Sequence, residues 1–322
     1  MDISRWGLGL IAGLYGLVIG SAINAVVWRL YVGRSWAKGR SECPDCHHKL
    51  AAKDLVPVLS WVSLRGKCRY CKKSIHYQYP LVELFTAGLF ALSAWRLMPV
   101  GTWGYGLFIG WLGLLIGFII LAVYDARWMI LPDKVVLPLV AGALIYCVAN
   151  GWYSEGAATV GTGWPVVILG LMAVGGLVAW SRIDYDGRWA NILVAVAYVL
   201  LLAALGLAYS QGELRSVSGP LLAALGASFG FFIIAWATGG RGMGGGDVKL
   251  VFAIGLLLGL GATLVALELA FVAGAAVGIG LMIRRRRRLG MQLPFGPFLI
   301  IGLIVAFLYG RDIIQAYLHW NG

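Results

Sequence analysis

Residues 239–250 read GGRGMGGGDVKL, and they join two long apolar runs, 219–238 and 248–264. Six glycines surround one aspartate at the mouth of a membrane segment. A carboxylate at that depth is expensive and marks function by default. Glycines permit a non-helical backbone, which a bilayer tolerates only where the chain lines a cavity or water. The stretch therefore predicts a break before a helix, with Asp247 at the helix start.

Outward from this point the chain is apolar almost throughout. Of its 322 residues 60% are hydrophobic and only 12% charged, against about a quarter charged in soluble domains. Ten runs are long enough to span a bilayer: 6–28, 79–98, 103–124, 134–150, 164–181, 190–209, 219–238, 248–264, 265–283 and 294–311. The expected fold is thus an all-α polytopic membrane protein of about ten transmembrane helices. Residues 1–30 form its first helix, 31–78 a small polar module and 79–322 the helical remainder. The first run is too long for a cleaved signal peptide and lacks a small-residue cleavage site before a soluble domain.

The net charge of +12 does not point to nucleic acid. Ten crossings with the N-terminus outside place 22 of the 26 Lys and Arg on one side, which the positive-inside rule makes cytoplasmic. The arginine run 284–288 reads as a topology anchor beside anionic headgroups. Membrane lipid, not nucleic acid, is the expected surroundings. Glycines at 9, 13, 16 and 20 predict a close helix–helix approach.

Four of the five cysteines form two C-x-x-C pairs, Cys43/Cys46 and Cys68/Cys71, inside the polar module. Two such knuckles supply four thiolates, the set that suits structural Zn²⁺. A cytoplasmic module keeps its thiols reduced, which favours a metal over disulfides. Four protein ligands leave no open position, so the metal folds the module and does not act on substrate. His47 and His48 read as surface residues and Cys147 as packing.

Asp247 needs a partner, and the segment LAVYDARWMILPDKVVLP offers Asp125, with Asp133 eight residues on. Four crossings separate Asp125 from Asp247, so both lie at one face. Two close carboxylates in a low-dielectric site share a proton, giving one base to activate water and one acid to protonate a scissile amide. The alternative is an N-cap at Asp247 and a solvated helix end at Asp125. Residue types alone leave the two readings balanced.

Five ordered blocks together resemble one family, the prepilin leader peptidases/N-methyltransferases, bacterial intramembrane aspartic proteases of the GxGD type. They are GSAINAVVWRL at 20–30, the cysteine module through 43–90, DARWMILPDKVVLP at 125–138, GMGGGDVKL at 242–250 and LPFGPFL at 293–299. The resemblance implies catalysis by Asp125 and Asp247 and zinc on Cys43, Cys46, Cys68 and Cys71. It also implies a multi-pass protein of the bacterial cytoplasmic (inner) membrane. The implied partners are type IV prepilin or pseudopilin precursors, cut after a glycine at the cytoplasmic face. The implied methyl donor for the new N-terminus is S-adenosylmethionine, whose binding residues the sequence does not place. Lys249 would position substrate or tune the aspartates. Glu83, inside a membrane run, would either pair structurally or contact substrate, and Asp133 would cap a helix.

There is one departure from the family pattern. The family commonly has two segments between its aspartate blocks, and this chain has four, with the extra pair within 151–238 around SRIDYDGRWAN at 181–191. Asp184 and Asp186 there read as solvated loop residues. Methyl transfer rests only on the intact cysteine module, so a protease without it is one alternative. A zinc-regulated transporter is another, although no inverted hydropathy repeat supports it.

Overall fold

A computed structural model describes residues 3–36, 38–155, 164–180, 188–210, 215–240, 242–285 and 293–321. Asp184, Asp186 and most of the 284–288 arginine run lie outside them. Among the described residues the chain is helical, with no strand beyond two isolated antiparallel bridges, Glu42–Lys49 and Lys67–Ser74. The helices are α1 (Ile3–Tyr31), α2 (Leu59–Ser63), α3 (Gln78–Leu97), α4 (Gly101–Trp128), α5 (Asp133–Glu155), α6 (Trp164–Trp180), α7 (Arg188–Ser210), α8 (Arg215–Ala237), α9 (Gly245–Arg285) and α10 (Gly296–Asn321). Seven of them are long and apolar enough to cross a membrane among the described residues. The expected all-helical membrane architecture is observed.

The chain divides into two compact units, Met1–Val123 and Tyr124–Gly322. In the first, α1 and α3 pack along the glycine stripe. A Cβ on Gly16 would sit 2.7 Å from the Ala87 Cα, and one on Gly20 2.6 Å from the Glu83 Cα. Lipid offers no hydrophobic gain for helix contact, so backbone proximity and dispersion supply it. Buried Asn24 strengthens the pair by donating its amide to the Gly20 carbonyl (3.2 Å) and the Tyr79 carbonyl (3.1 Å).

In the second unit α9 is the central element. Its 41 residues would measure about 60 Å if straight, roughly twice a bilayer's hydrocarbon core. Gly259 interrupts it at φ 70°, ψ −176°, a backbone region open essentially to glycine alone. The expected division of this stretch into two spans is therefore present, but five residues earlier than the 264/265 boundary read from hydropathy. Both halves are apolar, so hydropathy cannot locate the break; backbone geometry does. The first arm packs on α8, with Gly255 against Ala224 and Gly259 near Pro220. The second runs along α10, where Gly310 meets Ala262 at one end and Gly274 meets Phe295 and Phe298 at the other.

Candidate active site and metal centre

The two cysteine knuckles in the first unit have the same local geometry. In one, the Cys43 amide donates to the His48 carbonyl (3.1 Å) and the His47 amide to the Cys43 carbonyl (2.9 Å). In the other, the Cys68 amide donates to the Lys73 carbonyl (2.8 Å) and the Lys72 amide to the Cys68 carbonyl (3.0 Å). The residue after each second cysteine, His47 or Lys72, is left-handed (φ 55° and 61°). Both turns thus aim two thiols to one side, and the four Sγ atoms all lie within 4.8 Å of one another. Cys43 and Cys71 are 3.9 Å apart at sulfur. Tetrahedral Zn–S bonds of about 2.3 Å give sulfur–sulfur edges of about 3.8 Å. The cluster has the geometry to hold a metal, and its cysteines are free.

The thiols differ before any metal binds. Burial pushes the Cys43 thiol up to about 12. Burial also pushes on Cys68, but amide donors from Cys71 and Tyr70 outweigh it and bring that thiol down to about 7. Around them Asp54 ties the module together. It accepts the Ala51 amide (3.1 Å), the Arg69 Nε (2.6 Å) and the Tyr70 hydroxyl (3.0 Å). His48 packs its ring on Tyr70 at 3.6 Å, and neither His48 nor His47 joins the cysteine cluster. Cys147 is buried in α5, as packing requires.

Glu83 resolves toward structure. Its Oε2 accepts the Val58 amide at 2.7 Å. Val58 is a β-branched residue at φ 59°, a strained conformation that this bond fixes. The buried acid therefore fastens the polar module to the α1–α3 pair.

The second unit contains both aspartates. Asp125 occupies the last turn of α4 and is 5% exposed. Its Oδ2 accepts the Gly296 amide at 3.0 Å, the first residue of α10. A helix N-terminus presents free amides and a positive dipole end, a natural seat for a carboxylate. A Cβ on Gly296 would come within 2.8 Å of that oxygen, so the approach requires glycine.

Asp247 is in the first turn of α9, and its Oδ2 accepts the Gly244 amide at 3.2 Å. That bond is the backward half of a capping box, so Asp247 is at the third helical position and is not the N-cap. Asp125 lies near enough to Asp247 for the two charges to interact. Among the described residues neither acid forms an ion pair.

Two contacts fix the chain around this pair. Lys249, a buried side chain, donates to Asp133 at 2.6 Å, and a Cβ on Gly246 would meet the Leu131 Cβ at 2.7 Å. Asp133 thus serves as the Lys249 counter-ion as well as the start of α5. The Gly296 amide and this ion pair are not legible from spacing. Their only sequence signal was the presence of their blocks, 293–299 and 125–138 with 242–250.

The Bacterial Peptidase A24 N-terminal domain matches residues 14–97, and the Type IV leader peptidase family matches residues 171–279. The chain is 32% identical over 331 residues to a prepilin leader peptidase/N-methyltransferase of Aeromonas hydrophila, covering 95% of this chain and 92% of that protein. This chain belongs to the type IV leader peptidase family. Proteins of the same description from Pseudomonas aeruginosa and Bacillus subtilis are 29% and 28% identical, over 96% and 95% of this chain and 93% and 96% of theirs. No solved structure matches. The four cysteines and Glu83 fall within the first family match and Asp247 within the second, while Asp125 lies between them.

Proposed function

We propose that this leader peptidase cleaves the basic leader of type IV prepilins or pseudopilins with Asp125 and Asp247 and methylates the amine it exposes. The carrying observation is the pair itself. Two acids near enough for their charges to interact each take one glycine amide and form no ion pair among the described residues. An acid held this way keeps acceptor capacity for water and substrate.

One carboxylate takes a proton from water as the oxygen attacks the scissile carbonyl. The other gives its proton to the departing amide nitrogen as the C–N bond breaks. The pair ends with the same single shared proton on the opposite partner, and it titrates as a unit. The site faces the cytoplasm of a bacterial inner membrane, supported by the basic charge of the loops on that side.

Cys43, Cys46, Cys68 and Cys71 would hold Zn²⁺, whose chemistry here is to fold the polar module. S-adenosylmethionine supplies an electrophilic methyl group when bound, and no residue is assigned to it.

The test is co-expression with a pilin-like precursor and intact-mass analysis of the product. Wild type should remove the leader and add one methyl; Asp125→Ala and Asp247→Ala should each leave the precursor whole. Cleavage by both folded variants would end the two-aspartate mechanism. A shortened but unmethylated wild-type product would reduce the reading to a protease alone.

A further inference from the structure

Where α1 leaves its apolar span, the chain folds back on itself and encloses a recess of 480 Å³. Arg29, in the last turn of α1, builds its wall. Its two terminal nitrogens donate to the Trp36 and Gly39 carbonyls, each at 2.9 Å, and pull the returning chain across the helix end. Arg34 closes a second side, paired with Glu42 and lying over the Trp28 ring at 5.5 Å. Lys38, Arg40 and Lys49 also line the recess. The lining therefore carries five cations and one carboxylate, and Arg34 already engages that carboxylate.

Topology needs only positive charge near the surface; it does not need cations gathered around a shared cavity. A bound anion would explain the gathering. The position selects which anion. Trp28 and Arg29 belong to the apolar span, and an indole near a helix end is typical of the headgroup level. Tyr31, Val32 and Trp36, each within two residues in sequence of the lining Arg29, Arg34 or Lys38, are exposed apolar surface, which acyl chains would cover. Guanidinium groups recognise phosphate oxygens in a fixed fork, and basic pockets at this depth take anionic headgroups. A soluble phosphate would use the cations but leave that apolar surface uncovered.

We propose that this recess binds the phosphodiester headgroup of one anionic glycerophospholipid, a site separate from the metal cluster and from the two aspartates. The test uses the purified full-length chain, delipidated in detergent. It is titrated with short-chain phosphatidylglycerol, short-chain phosphatidylcholine or inorganic phosphate, and bound lipid is counted by native mass spectrometry.

One phosphatidylglycerol per chain should bind, at least tenfold more tightly than phosphatidylcholine, and the preference should weaken with added salt. Arg40→Gln/Lys49→Gln should abolish that preference, with metal content unchanged as the check on folding. Lys53→Gln/Arg65→Gln removes the same charge from exposed positions elsewhere in the module and should keep it. The proposal is overturned if the two double variants behave alike. Competition by inorganic phosphate at the lipid's own concentration would overturn the lipid source. Displacement of the lipid by an acidic peptide but not by further lipid would assign the recess to a protein partner instead.

Discussion

Asp54 in the cysteine module accepts a backbone amide, a guanidinium and a tyrosine hydroxyl, whereas Asp125 and Asp247 each accept one glycine amide. A carboxylate has about four lone-pair sites. Asp54 spends them on three neighbours from both halves of a small module and leaves little for anything else. Among the described residues the aspartates of the second unit are held by backbone alone, at the N-terminal ends of α10 and α9, and retain open acceptor sites. A saturated acid fixes structure; a sparsely bonded acid close to a second one is prepared for proton transfer.

The contrast is easiest to break at the open acids. Asp125→Ala or Asp247→Ala should lower leader cleavage by about 10³-fold or more, since a group acting as a unit with its partner cannot be replaced by it. Metal content should not change, because the cysteine cluster draws on neither residue. Gly296→Ala keeps the amide but puts a methyl against the Asp125 oxygen, and a displaced catalytic group costs about 10²-fold. Timed cleavage of a pilin precursor measures both effects, and near-wild-type activity in Gly296→Ala would remove this glycine from the site.

The module responds differently. Cys43→Ser should lose the metal, read as zinc per chain, while the α1–α3 pair stays helical by circular dichroism. Metal retention should also fall on acidification, because the thiols must lose protons to bind and Cys43, at about 12 without metal, competes hardest for its proton.

The smallest effect is expected at Asp54→Asn, about 2 kcal/mol, from the loss of charge-assisted bonds by a side chain 4% exposed. Burial raises the Asp54 carboxyl, but the Arg69, Ala51 and Tyr70 donors outweigh it and hold it below its ordinary value. A depressed acid contributes stability above its unfolded value and loses it as pH falls through the lower folded value. The midpoint of thermal metal release should therefore drop in strong acid for wild type, and less so for Asp54→Asn. Equal acid sensitivity in the two proteins would show that Asp54 is not the saturated anchor described here.

Legibility followed the type of information. The Gly9, Gly13, Gly16 and Gly20 stripe declared a close helix pair, because lipid-embedded packing leaves its mark on residue size. The C-x-x-C pairs declared a four-thiol cluster, because a short turn fixes both sulfurs locally. Glu83 is ambiguous in sequence, since its partner Val58 is 25 positions away. Asp247 reads as an N-cap or a catalytic acid, and only the direction of the Gly244 bond places it three residues beyond the cap.

The sequence by itself determined the helical membrane class, the cysteine knuckles and the candidates Asp125 and Asp247. Apolar run length, local turn spacing and the rarity of buried acids are all properties of neighbouring residues. The tertiary structure alone decided where α9 breaks, which amide holds Asp125 and what Lys249 pairs with. Those depend on backbone dihedrals and on contacts spanning as many as 171 residues. At that separation nothing in the local pattern distinguishes one partner from another, and packing makes the choice.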